Sequence, residues 1–140
     1  MIALCDNKKC ANLSSFPVYS KVLTAADDTI MKVFTVGADA KTLEECGDPI
    51  DLEGETFTIS SDQVDTIAIG GDDKKVYLYK LKAHDDGTLT LDEASKDIAM
   101  CFDTPVMKVE FCAGGKLLAV AQDSHVQVMD TETKKVTSFV

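Results

Sequence analysis

The sequence predicts an all-β protein assembled from repeated four-stranded antiparallel units, and three observations lead there. The stretch TIAIGGDDKKVYLYKL, Thr66 to Leu81, sets two apolar runs either side of a short polar turn. The same strand, turn and strand scheme occurs three times along the chain. No segment carries the sustained apolar stripe of an amphipathic helix; TLDEASKDIAM comes nearest and lacks one.

In chain order, MIALCDNKKCANLSSFPVYSK fits no repeat, and residues 1–21 are left unassigned. VLTAADDTIMKVFTV (Val22 to Val36) is the first hairpin, followed by a more polar strand, KTLEEC, and the link GDPID. ETFTI (Glu55 to Ile59) is a strand leading through the turn SSDQVD into the second hairpin, Ile67 to Leu81, which aligns with the first without a gap. After the link KAHDDGT, the outer strand is LTLDEAS or KDIAM. VMKVEF (Val106 to Phe111) then passes through the glycine turn CAGGK into a third hairpin, LLAVAQDSHVQVMD (Leu117 to Asp130), one residue shorter at its turn. KKVTSFV closes the chain as the last strand. Three units result, with cores over about residues 22–46, 55–100 and 106–140.

The hairpins also say how these units sit together. A strand pair with one face in water alternates apolar and polar residues. Here Ile67 and Ile69 share one face, Ala68 and Gly70 the other, and Val76 and Leu78 alternate with Tyr77 and Tyr79. Both faces are therefore covered. GDDKK is too short for a parallel crossover, so the pair is antiparallel and its sheet is stacked between others. Four-stranded units at this spacing, packed on both faces by their neighbours, describe β-propeller blades. About three blades make an incomplete propeller. In the WD-repeat pattern the third strand of a blade closes on Trp-Asp; the corresponding pairs are Phe34-Thr35, Tyr79-Lys80 and Met129-Asp130, and the chain contains no Trp.

Composition bounds the functional classes. A chain of 140 residues, 45% hydrophobic and 27% charged, is that of a globular domain. The formal net charge of −10 repels phosphate backbones and anionic lipid surfaces, which argues against nucleic-acid and membrane binding. Cys5, Cys10, Cys46, Cys101 and Cys112 are odd in number and include no C-x-x-C pair, so they read as free thiols in a reducing, cytoplasmic compartment. Cys5 and Cys10 lack the second ligand pair of a zinc site.

No residue is assigned a catalytic, cofactor-binding or metal-binding role, and the partner-binding residues are not legible. Asp27, Asp28, Asp72, Asp73 and Asp123 recur at the hairpin turns, where Asp supports positive φ and bonds its own backbone; a calcium loop would need a bidentate Glu downstream. Gly70-Gly71 and Gly114-Gly115 lack phosphate-loop spacing and read as turn and close-packing glycines. His84 and His125 read as solvated loop residues, and Tyr77, Tyr79, Phe34 and Phe111 as core. The expectation is an interaction module that needs no cofactor, not an enzyme.

TIAIGGDDKKVYLYKL, followed by a loop, an acidic segment and PVMKVEFCAGGKLLAVAQDSHVQVMD, resembles the second propeller of the actin-interacting WD-repeat proteins that work with cofilin. The likeness covers residues 55 to 140 and extends more weakly over 22 to 54. It implies a piece of a C-terminal propeller, protein partners that include actin and cofilin, a role in cofilin-dependent disassembly of actin filaments, and a cytoskeletal location. A general WD-repeat scaffold unrelated to actin is the alternative. The family's contact residues do not carry over to positions of this chain.

Overall fold

The computed structural model describes residues 10–16, 21–26, 28–52 and 54–139. Among them the chain is all-β, in three antiparallel sheets that follow one another in sequence. Sheet A contains β1 (Cys10–Phe16), β2 (Lys21–Ala26), β3 (Ile30–Val36) and β4 (Leu43–Glu45) in that spatial order, and β5 (Ile50–Asp51) pairs with the other end of β3. Sheet B contains β6 (Thr56–Ser61), β7 (Thr66–Gly71), β8 (Lys75–Ala83) and β9 (Leu89–Cys101). Sheet C contains β10 (Lys108–Cys112), β11 (Leu117–Ala121), β12 (Val126–Asp130) and β13 (Val136–Phe139).

Three strands depart from the sequence reading. GDPID, read as a link, contains β5, where Ile50 and Asp51 pair with Met31 and Ile30 at the turn end of β3. β1 falls inside the unassigned 1–21 segment: CANLSSF has no apolar alternation, and its strand character comes from pairing with β2, Phe16 opposite Lys21 through Leu13 opposite Thr24. LTLDEAS and KDIAM, read as alternatives, are one strand, β9, whose register with β8 shifts on either side of Leu78. Ser95 fills one irregularity, accepting the Lys80 N–H at 2.7 Å and donating its hydroxyl to the Asp92 carbonyl at 2.6 Å.

Two of the three hairpin turns use Asp as expected, with one correction. Asp28 and Asp73 each accept the N–H two residues on, from Ile30 at 3.2 Å and Lys75 at 3.3 Å. The positive φ falls instead on the residue after the carboxylate, Thr29 at 65° and Lys74 at 64°. The third turn is closed by the Gln122 N–H on the His125 carbonyl at 2.9 Å. Asp27 lies outside the described residues.

Sheet B is buried on both faces, which explains its consecutive apolar runs. Toward sheet A, Ile67, Ile69, Tyr77 and Tyr79 pack with Leu23, Ala25, Met31 and Val33. Toward sheet C, Ala68, Val76 and Leu78 pack with Val109, Leu118, Val120 and Met129. The register puts Ile67 opposite Tyr79 and Ala68 opposite Leu78, so each face is continuous across the strand pair. Phe111 packs at the margin of the second core, whereas Phe34 is only half-buried and stands on the far face of sheet A beside Glu45, outside both cores.

Small residues specify the joint between sheets B and C, Thr58, Ser60 and Gly70, while Gly71 sets a close approach within sheet B. β10 is an edge strand whose unpaired N–H groups need acceptors. The Val109 N–H donates to Thr58 Oγ1 at 3.0 Å and the Phe111 N–H to Ser60 Oγ at 3.1 Å, a two-residue step on both strands. A Cβ on Gly70 would lie 2.5 Å from Val106 Cγ1, and one on Gly71 would collide with the Glu55 carbonyl oxygen, so both glycines admit close approach. On the far face of sheet C the register positions of Thr58, Ser60 and Gly70 are taken by Lys108, Glu110 and Ala121. Lys108 and Glu110 pair with each other at 3.5 Å instead of receiving a neighbouring strand.

Candidate functional site

The turns at one end of the B–C joint gather into a cleft. A cavity of about 320 Å³ lies between Ser60, Gln63, Glu110 and Gly114. It adjoins one of about 290 Å³ bounded by Lys80, Ser95, Asp97 and Lys134. Asp62, Phe111 and Gly115 line both.

Each wall is fixed by local hydrogen bonding. One Asp62 carboxylate oxygen accepts the N–H groups of Val64 at 2.9 Å, Asp65 at 3.1 Å and Thr66 at 2.9 Å, which folds SSDQVD into a tight turn with Gln63 at φ 68°. Opposite it, Gly114 and Gly115 take φ of 65° and 85°, conformations that glycine reaches without steric cost. The Thr131 hydroxyl ties the β12–β13 turn to the Gly115 carbonyl at 2.8 Å. Within that turn, Asp130 accepts N–H groups from Glu132 at 3.0 Å and Thr133 at 2.7 Å, and the Thr133 N–H foremost holds its carboxyl below the usual value.

Two ion pairs stand at the cleft. Lys80 meets Asp65 at 2.6 Å, and its hydrogen bond is the main cause that holds the Asp65 carboxyl low. Lys134 of sheet C reaches Asp97 of sheet B at 3.1 Å, so an ion pair spans the joint. Both pairs are largely exposed and stabilise little. Their consequence is for recognition: the rim offers charges at positions fixed by rigid turns, with the exposed Val64 at one tip. Such a surface suits polar contact around a small apolar anchor.

Of the residues singled out from the sequence, Tyr79, Phe111, Gly114 and Gly115 line the cleft, whereas, among the described residues, the histidines, the hairpin-turn aspartates and the cysteines other than Cys112 stand apart from it. His84 is exposed beyond β8 and bonds the Thr90 hydroxyl at 2.8 Å through Nε2, while the exposed His125 bonds Ser124 at 2.7 Å through Nδ1. Asp72 and Asp123 are exposed at their turns, and the Asp73 carboxylate accepts the Tyr77 hydroxyl at 2.5 Å. Cys46, Cys101 and Cys112 are free thiols; Cys5 and the side chain of Cys10 lie outside the described residues. Among the described residues no group of three His, Cys, Asp or Glu side chains is placed to hold a metal ion, and no helix is long and apolar enough to cross a membrane. Sequence reasoning missed Lys80, Asp97 and Lys134, which carry no local signature. Asp62 was signalled by SSDQVD, since an Asp at a turn accepts the amides that follow it. No protein-family model and no curated protein matches the chain.

Proposed function

We propose that this chain is part of a WD-repeat-like β-propeller in a protein that acts with cofilin to disassemble actin filaments. The observation that carries the reading is the resemblance of TIAIGGDDKKVYLYKL and PVMKVEFCAGGKLLAVAQDSHVQVMD to the actin-interacting WD-repeat family. These two stretches supply the central hairpin of sheet B and the first three strands of sheet C. The stacking of consecutive four-stranded sheets supports the blade reading, because a propeller repeats that step around an axis. Rigid blades with turns at fixed positions suit recognition of a composite surface made by two proteins. The acidic balance of −10 opposes simple electrostatic adhesion to acidic actin, so binding depends on shape and local contacts. The proposed location is the cytoplasm, on the actin cytoskeleton.

The test is filament sedimentation and severing by the protein that carries this chain, with and without cofilin. The expected result is faster disassembly of cofilin-decorated filaments and little effect on bare ones. Absence of any cofilin-dependent effect would leave a general interaction scaffold as the better reading. Saturable turnover of a small molecule at the cleft would displace both.

A further inference from the structure

Lys21, the first residue of β2, is a charged side chain only 8% exposed. Its ammonium donates to Thr35 Oγ1 at 2.7 Å and to Cys46 Sγ at 3.2 Å, and among the described residues no carboxylate lies within ion-pair distance of it. A buried ammonium without an anion is costly, and of the described groups that touch it, Thr35 and Cys46, only the Cys46 thiol can become one, by losing its proton. The arrangement is a cluster and not a lone cysteine: a buried cation is aimed at the sulfur from one side and a second sheet closes on it from another.

Backbone geometry holds Cys46 in this place. Its N–H bonds the Val33 carbonyl at 2.8 Å just beyond β4, and its sulfur stands 3.5 Å from the Gly87 carbonyl in the β8–β9 loop of sheet B. Burial pushes the thiol up, but the hydrogen bonds from Lys21 and Thr35, the Lys21 charge and the Leu89 amide together outweigh it and bring the thiol below its ordinary value. The sulfur is only half-buried, so a small reagent reaches it.

We propose that Cys46, paired with the buried Lys21 ammonium, is a thiolate nucleophile that small hydroperoxides oxidise to the sulfenic acid. In this step sulfur attacks one peroxide oxygen, an S–O bond forms and the O–O bond breaks. The departing hydroxide or alkoxide leaves with the electron pair and takes up a proton from solvent. Sulfur loses two electrons and the peroxide gains them. The product is neutral, so Lys21 is left buried without its anion.

The experiment treats the reduced full chain with substoichiometric hydrogen peroxide in the presence of dimedone, which traps sulfenic acids, and maps the adducts by mass spectrometry. In parallel, the rate of Cys46 alkylation by iodoacetamide is followed against pH. The expected result is a Cys46 adduct ahead of Cys101, although Cys101 is the more exposed thiol. The Cys46 alkylation rate reaches half its maximum below the ordinary thiol value of about 8.5. Lys21→Met slows the pH 7 reaction several-fold and Lys21→Arg restores it. Labelling of Cys101 or Cys112 first, or a wild-type midpoint at or above the ordinary value, overturns the proposal. Where Lys21→Met fails to fold, the wild-type adduct order and pH profile decide alone.

Discussion

Thr58→Val tests the joint between sheets B and C. The substitution preserves the β-branched shape and removes the hydroxyl that accepts the Val109 N–H at 3.0 Å. Both Thr58 and Val109 are fully buried, so water cannot replace the lost acceptor. An unsatisfied buried donor costs about 1–3 kcal/mol. The comparison variant is Thr58→Ser, which keeps the acceptor and deletes one buried methyl, at about 0.5–1.5 kcal/mol. If the hydroxyl secures the edge of β10, Val is the worse replacement by about 1 kcal/mol, and the Val109 amide exchanges faster in Thr58→Val than in Thr58→Ser. Ser60→Ala, which strips the acceptor of the Phe111 N–H, acts on the same edge and is less than additive with Thr58→Val once the strand has loosened. The assay is urea unfolding at dilute protein concentration with residue-resolved amide exchange. Equal or greater stability of Thr58→Val relative to Thr58→Ser, with unchanged Val109 exchange, would refute the reasoning.

Three further outcomes are expected. Gly71→Ala drives a Cβ into the Glu55 carbonyl and destabilises by about 3 kcal/mol or more, while Gly54→Ala, which meets only the Asp73 side chain at 3.5 Å, stays within about 0.5 kcal/mol; thermal unfolding of the two variants checks the contrast. The Asp65 carboxyl is held low in the folded chain, foremost by the Lys80 hydrogen bond, so its contribution is complete above the unfolded carboxylate value of about 3.9 and is lost as pH falls through its lower folded value; urea titrations from pH 6 down to pH 2 should show a shallower acid loss in Asp65→Asn. The free face of sheet C leaves Leu117, Val128 and Phe139 around a shallow depression of about 290 Å³, with Phe139 54% exposed, so the isolated chain should associate as concentration rises and Phe139→Glu should weaken that association; a sharp monomer at high concentration would contradict it.

Much of the fold was legible because the central hairpin states its environment. Ile67, Ala68, Ile69, Val76, Tyr77 and Leu78 leave no polar face, and that pattern has one physical solution in an antiparallel pair, a neighbour on each side. The turns were legible through Asp and Gly, whose local bonding and backbone freedom do not depend on tertiary context. β1 was not legible, because CANLSSF mixes apolar and polar residues without alternation, and its strand character follows from pairing with β2 and lying beside β6. Phe34 was misplaced because an aromatic at strand spacing faces either side of a sheet, and only the neighbouring sheets decide which side is core. The cleft was least legible: Lys134 and Asp97 are 37 residues apart and meet only through the stacking of sheets B and C. Lys21 and Cys46 were equally silent, since neither sits in a motif and their contact depends on the order of strands in sheet A.

The account rests on sheet B having different neighbours on its two faces. Methyl-selective nuclear Overhauser measurements on Ile-, Leu-, Val- and Ala-labelled protein test this most directly. The account predicts contacts from the Ile67 and Ile69 methyls to Leu23 and Val33, and from the Ala68 and Leu78 methyls to Leu118 and Val120, with no exchange between the two sets. Contacts from Ile67 and Leu78 to the same partners, or solvent protection on only one face of β7, would contradict it.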